Sequence, residues 1–442
     1  MPDTARRAAR RAASAATTRP ALDLSSARHH FPSLALEQDG QPVVYFDNPA
    51  GTQVPQACID AFGAYYTGSN SNTGGAFVTS RRTDALIAEA RAAMADFLNA
   101  PDLREIVFGP NMTTITFALA RSLGRTMQPG DEIVLTTLEH DANVAPWLTL
   151  AEDLGLVVRV AEIAVPDCTL DMEHLRSLIN ERTKLVAVAY ASNVAGTIND
   201  VATICAWARE AGALSLVDAV HYGPHGSMDV QAIGCDFLAC SSYKFFGPHL
   251  GILYGRLELL ERLYAYKVRP AHDEAPSKWE TGTLSHECLA GLVAALDYLA
   301  AIGRDHGAAY ADQFPSMSGR RLELHTGLAA IQEYERGLSR RLLAGLAALP
   351  GVHIWGISAE GDLTQRVPTI SITVDGHRPE ELAAKLGERG IFTWEGNYYA
   401  LYLIQRLGLM DAGGTLRIGL VHYNTPDEIE RFLDALGEII GA

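Results

Sequence analysis

The chain has 442 residues, enough for one large domain or two ordinary ones. Hydrophobic residues make up 48% and charged residues 20%, a globular balance, and no run of about 18 apolar residues marks a membrane span. The formal net charge of -16 argues against nucleic acid as the main partner.

The first segment, 1–22, is rich in Ala, Arg, Ser and Thr and lacks a core pattern, so it reads as a disordered basic tail. Its five arginines (Arg6, Arg7, Arg10, Arg11, Arg19) face one acid, Asp3, so the rest of the chain carries about -20. No long apolar segment follows the arginines, which argues against a secretory signal. Residues 79–99 read as a helix with Leu86, Ile87, Ala90, Met94, Phe97 and Leu98 on one face. Short apolar runs then predict strands at 105–108, 132–136, 157–163, 184–191, 214–217, 236–240 and 251–254. Helical segments at 170–180 and 201–211 alternate with them, the pattern of an α/β unit with a mostly parallel sheet.

The texture changes near residue 290. A helix is expected over 287–302, followed by a polar stretch without a period at 304–322, read as a surface insertion or part of a lid, and a helix over 324–348. Ile370, Ile372 and Val374 alternate as a half-buried strand, and Pro379 opens a helix that Gly390 closes. Thr425-Pro426-Asp427-Glu428 is a capping box before a helix with Ile429, Phe432, Leu433, Leu436 and Ile440 on its buried stripe. The division expected is a segment 23–70 that joins the small domain, a large domain over 71–288 and a smaller α+β domain over 289–442. The six cysteines (Cys58, Cys168, Cys205, Cys235, Cys240, Cys288) form no C-x-x-C pair, which suits a reducing, cytoplasmic setting and gives no zinc pattern.

Four motifs fall at strand ends, where α/β sheets place their ligands. Gly109 to Thr114 is a turn into a helix, and free N–H groups there, near Met112 and Thr113, can hold an anion. His140, in Glu139-His140-Asp141-Ala142-Asn143, can stack on a flat cofactor. Asp218 ends an apolar strand, where an acid is costly unless a cation pairs with it. Lys244 lies in Ser241-Ser242-Tyr243-Lys244-Phe245-Phe246, among aromatics, where an amine is suited to a Schiff base with a carbonyl cofactor. Each motif alone has a plainer reading: an ordinary N-cap, a loop histidine, a capping aspartate, a surface lysine. Together they meet the needs of pyridoxal phosphate. No Gly-x-Gly-x-x-Gly or Gly-Lys-Ser/Thr supports a nicotinamide or P-loop enzyme.

These residues, with Tyr45 to Gly51, Leu138 to Trp147, Ser192 to Thr197, Asp218 to His221, Ser241 to Leu253 and Arg417 to Thr425, resemble the class V aminotransferase family, and within it the cysteine desulfurase-like branch. The resemblance runs from about residue 28 to the C-terminus. It implies the pyridoxal-phosphate fold type I, a large domain with a mostly parallel mixed sheet between helices plus a smaller α+β domain. It implies that Lys244 forms the internal aldimine and moves the α-proton, that His140 stacks on the ring and that Asp218 pairs with its nitrogen. His221 stands where the family usually has a glutamine on the phenolic oxygen, with Asn193 nearby. Thr113, Ser241 and Tyr243 would hold the phosphate, Met112 would be a further cofactor contact, and Thr283 would reach the partner's phosphate in a homodimer with shared sites. Arg417 would grip the substrate carboxylate, with Asn48, Trp394 and Tyr399 as further substrate contacts.

One departure bears on the reaction. Group II cysteine desulfurases carry a nucleophilic cysteine in a Gly-His-His-Cys-Ala segment, whereas this chain reads Gly396-Asn397-Tyr398-Tyr399-Ala400. Trp394 replaces the arginine that usually precedes it, and no cysteine follows Cys288. A phenol with a pKa of about 10 cannot take up sulfur as a persulfide. The expectation is an enzyme acting on a small amino acid through an external aldimine, by C–S lyase-like elimination without a persulfide. Transamination and epimerisation are alternatives, and a non-catalytic scaffold is a third reading.

Overall fold

The computed structural model describes residues 22–441, so the basic tail, apart from Leu22, lies outside the described residues. Two sheets organise the chain. The larger contains β1 (Ile106–Gly109), β2 (Glu132–Thr136), β3 (Val157–Ala161), β4 (Thr183–Ala189), β5 (Leu214–Asp218), β6 (Phe237–Ser241) and β7 (Gly251–Gly255), in the order β1-β7-β6-β5-β4-β2-β3. β7 runs antiparallel to both neighbours, while the strands from β6 to β3 pair in parallel. After α1 (Gln56–Gly68), helices α2 (Val78–Leu98), α3 (Met112–Gly124) and α4 (Val201–Glu210) are among those that pack on it. The central strands are buried along their length, which is why they read as unbroken apolar runs rather than as alternation.

Register sets the level of the site. Asp218 pairs with Ala189 on one side and Ala239 on the other, so β4, β5 and β6 end at one edge of the sheet. Ser241 and Gly109 both pair with Gly251 at that same edge. Gly251 is required there, because a Cβ would run into the backbone of Asn111.

Two long helices, α5 (His286–His306) and α6 (Gly319–Ala348), pack on each other. α5 also packs on α1 and α2, so the expected boundary at 289 falls inside a helix that belongs to the large unit's surface as much as to the small one. The polar stretch 304–322 is not an irregular insertion. It completes α5, forms a 3-10 turn (Gly307–Gln313) and begins α6. Gly303 and Gly327 let the two backbones touch, and Arg304, Arg320 and Arg321 pair with Glu323, Glu89 and Asp96. Ion pairs therefore occupy positions where an apolar period was sought. The helical stretch His286–Gln313 is long and apolar enough to cross a membrane by length and composition alone, and 61% of its most apolar window is buried inside the protein, as in a core helix.

The small sheet contains β8 (Val352–Trp355), β9 (Thr369–Val374), β10 (Trp394–Gly396) and β11 (Thr415–Gly419), in the antiparallel order β8-β9-β11-β10. Helix α7 (Pro426–Ile440) carries the capping box expected at Thr425 and Glu428 and buries Ile429, Phe432 and Leu436. β9 is more buried than a half-exposed strand. Its polar positions turn toward the large unit, where Ser371 Oγ donates to the carbonyl of Val194 (2.8 Å). The N-terminal segment pairs Val44 and Tyr45 in parallel with Ile391 and Phe392 as a separate two-stranded sheet, and it reaches the small sheet through a bridge between Asp47 and Gly419.

The loop Ser192–Thr197 is the seam between the units. Gly196 sits at φ 75, and a Cβ would lie 2.5 Å from the carbonyl oxygen of Thr369. Gly196→Ala is expected to destabilise the fold by about 2–4 kcal/mol, from the left-handed backbone and the overpacked contact together. A urea midpoint unchanged by this substitution would refute that account.

Candidate active site

A cavity of about 300 Å³ opens at the C-terminal edge of the large sheet, walled on the far side by β10 and β11. Lys244 enters it from the turn Ser242–Lys244 that directly follows β6. Its Nζ donates to the carbonyls of Pro49 and Ala50. Burial pulls its pKa down to about 7, Arg417 adds to the effect, and Asp47 and Asp218 oppose it. An amine in that range is neutral often enough near pH 7 to act as a nucleophile or base.

Asp218, at the end of β5, is 6% exposed. Its Oδ1 accepts the Val220 N–H at 3.0 Å, and it forms no ion pair among the described residues. Burial raises its pKa to about 6, against the pull of the Val220 N–H and the Lys244 charge. His140 follows β2. Its Nδ1 accepts the Ala142 N–H at 3.0 Å, so the ring is neutral with its proton on Nε2. Burial, then Lys244 and Arg417, push its pKa down to about 4.

The residue before it, Glu139, had no assigned role and proves to hold the loop. It accepts from Thr136 Oγ1 (2.6 Å), the Ala189 N–H (2.9 Å) and Asn143 Nδ2 (2.7 Å), and so ties His140 to the ends of β2 and β4. Burial raises its pKa to about 8. His221 also lines the cavity. Its Nε2 lies 2.9 Å from Thr369 Oγ1, and burial keeps its pKa well below the ordinary value.

Met112, Thr113, Ser241 and Tyr243 border one end of the cavity. Helix α3 starts there, with the Asn111 side chain accepting from the Thr114 N–H (2.8 Å), and a helix start of this kind can hold an anion. At the other end lies Arg417 on β11, 3% exposed. It donates to the carbonyl of Asn193 (3.1 Å) and to Asp47 Oδ1 (3.3 Å), and the Tyr398 ring covers it at 4.2 Å. Arg417 Nε and Asn193 Oδ1 are buried without a hydrogen-bond partner among the described residues.

Trp394 pairs with Arg417 in register, so both face the cavity. Tyr398 and Tyr399 both adopt left-handed backbone, at φ 53 and 58. Asn193 Nδ2 holds the Tyr398 carbonyl (3.0 Å) and the Asp141 N–H holds that of Tyr399 (2.7 Å).

One expected contact falls elsewhere. Asn48 does not line the cavity. Its amide donates to the carbonyl of Gly419 (2.7 Å), to that of Tyr45 and to Asn424 Oδ1, and its Oδ1 accepts from Tyr423, so it staples the N-terminal segment to the small sheet. Thr283 is exposed and borders a separate cleft with Gly109 and Thr114. Asp47 and Tyr398 both meet Arg417. Asp47 lies in the block Tyr45 to Gly51 and Tyr398 in the departing segment Gly396–Ala400, and neither stretch by itself signals that contact.

The model of the family described as Aminotransferase class-V matches residues 44–325 and 319–432. The chain belongs to the class V aminotransferase family. It is 32% identical over 427 residues to a cysteine desulfurase of Pectobacterium carotovorum subsp. carotovorum (strain PC1), covering 93% of this chain and 97% of that one. It is 34% identical over 423 residues to a probable cysteine desulfurase of Pseudomonas aeruginosa, covering 92% and 96%. Among solved structures it resembles the Escherichia coli cysteine desulfurase CsdA, with a TM-score of 0.77 and 27% identity over 95% of this chain and 98% of that one. It also resembles the apo cysteine desulfurase of Thermococcus onnurineus NA1, with a TM-score of 0.78 and 29% identity over 90% and 95%.

As a member of this family, the chain is a pyridoxal-phosphate-dependent enzyme of fold type I. The residues fit that group. The cavity combines a helix start for a phosphate, a neutral imidazole, a buried carboxylate with no ion pair among the described residues and an amine of lowered pKa.

Proposed function

We propose that the protein breaks the Cβ–S bond of a small sulfur-containing amino acid by elimination, with no persulfide formed on the protein. The observation that carries this reading is a cavity holding Lys244, Asp218 and Arg417 whose described lining residues include no cysteine. Tyr399 occupies the segment where a desulfurase of this branch would carry its thiol. The similarity to proteins named cysteine desulfurase supports a sulfur amino acid as the substrate.

Arg417 binds the substrate carboxylate through a guanidinium already oriented by Asp47 and the Asn193 carbonyl. Thr113, Ser241 and Tyr243, with Met112 beside them, would hold the phosphate of the cofactor, His140 and His221 would lie against its ring, and Asp218 would keep the proton on the ring nitrogen. Pyridoxal phosphate supplies an electron-withdrawing ring that accepts the electron pair left at Cα. Lys244 takes the α-proton, which its lowered pKa permits near neutrality. We read the protein as a cytoplasmic homodimer. Six free cysteines support the compartment, and the position of Thr283, exposed outside its own cavity, supports a shared site.

The test is a panel of amino acids given to the purified holoenzyme, with ammonia, pyruvate and thiol or sulfide measured. Stoichiometric release of all three is expected. Amino transfer that requires a second keto acid and yields no ammonia would replace this reading with transamination. Exchange of the α-proton with inversion alone would point to epimerisation. Protein that binds no cofactor, and is indifferent to loss of Lys244, would be a scaffold.

A further inference from the structure

We propose that the mouth of the cavity, between Trp394 and Tyr399, is a subsite for an uncharged apolar or aromatic group, so that the substrate is an S-substituted cysteine rather than free cysteine. The inference rests on the elimination reading above. Among the described residues that line the cavity, Lys244 and Arg417 are the only lysine and arginine, and Asp218 is the only acid. Each already has a partner in the reaction: the α-proton, the substrate carboxylate and the ring nitrogen. An acidic or basic substrate side chain would therefore be desolvated with no counter-charge to meet it.

What remains at the mouth is aromatic. Trp394 is 53% exposed and Tyr399 69% exposed, while Arg417 behind them is 3% exposed. Trp394 faces the cavity because it pairs in register with Arg417, and the Tyr399 ring lies 5.6 Å from that of His140. Rings that their own chain leaves uncovered at the rim of a pocket have apolar area to cover when a ligand arrives. The Tyr399 ring is also held there against its backbone preference. Two successive left-handed residues, at φ 53 and 58, are tethered by Asn193 and by the Asp141 N–H, and strain of this kind is retained where it positions a functional group.

The chemistry balances without a protein thiol. Lys244 takes the α-proton, the Cβ–S bond breaks, and its electron pair leaves on sulfur. The thiolate R–S⁻ takes up a proton and departs as R–SH. One water is consumed, and the three-carbon remainder leaves as pyruvate and ammonium. The R group carries away the sulfur that a desulfurase would pass to its own cysteine.

Titrating the holoenzyme and following its visible spectrum gives a dissociation constant for each amino acid independently of turnover. S-benzylcysteine is expected to bind at least roughly 5-fold more tightly than cysteine. Trp394→Ala and Tyr399→Ala are each expected to lower the affinity ratio of S-benzylcysteine to S-methylcysteine by roughly 2- to 10-fold, and Tyr399→Phe to keep it. Cysteine, aspartate or lysine binding as tightly as S-benzylcysteine overturns the subsite, and so does a ratio unmoved in both alanine variants. Product analysis separates the two claims. Selective binding with release of benzyl thiol supports both, whereas selective binding without thiol supports the subsite and overturns the elimination reading.

Discussion

Asp218→Asn is expected to stabilise the cofactor-free protein and to slow the cofactor-bound enzyme. Burial raises the Asp218 pKa from 3.8 to about 6. Between those values the native state holds its proton more tightly than the unfolded chain does. Stability therefore falls as pH rises through that window, and the burden at pH 7 is about 3 kcal/mol. Asparagine keeps the shape and removes the charge. The apoprotein variant should show a higher urea midpoint than wild type at pH 7.5, with the gap closing toward pH 4. In the holoenzyme the sign reverses, because the ring-nitrogen proton loses its counter-charge. Turnover should drop by roughly 10²- to 10³-fold, the scale of a lost electrostatic partner in a water-poor site. Equal apoprotein midpoints at pH 7.5 would show that the carboxylate is already compensated and would remove the argument for a cationic ring partner.

Lys244→Ala is expected to lower turnover by roughly 10²- to 10⁴-fold, the range of a lost general base. Its lowered pKa also sets a pH dependence. Wild-type apoprotein should capture the cofactor covalently at a rate that rises up to about pH 7 and then levels, because the amine is mostly neutral above its pKa of about 7. An ordinary lysine would keep gaining rate up to about pH 10. Borohydride reduction followed by peptide mapping should place the cofactor on the peptide containing Lys244. A rate still climbing at pH 9, or a label elsewhere, would count against the assignment.

The parts of the site that could be read from the chain are those tied to one strand and the turn after it. Asp218, His140, Lys244 and the helix start at Met112 each follow a buried apolar run, and parallel pairing brings such strand ends to one edge. Contacts between distant segments were not legible. Asp47 meets Arg417 across 370 residues, and nothing local to either residue shows it. The resemblance implies Asn48 as a substrate contact, and its neighbours Pro49 and Ala50 do line the cavity. Its side chain points instead into the small sheet, where its donors and acceptor are all used. The stretch 304–322 looked irregular because its helices are held by ion pairs and by glycine-to-backbone contact, neither of which leaves an apolar period.

The sequence by itself determined the fold class, the cofactor chemistry and the absence of a thiol in the segment Gly396–Ala400, because strand periodicity and covalent chemistry depend on residue type and local spacing. Only the tertiary structure decided how the substrate end of the cavity is built. Charge, burial and backbone strain there arise from β10, β11, the Asp47 segment and the Asn193 loop meeting in space. Arg417 is oriented and desolvated by residues from all of them, and Tyr399 is held in place by tethers from two other loops. Pocket shape is a property of that convergence, since no single stretch of chain contains it.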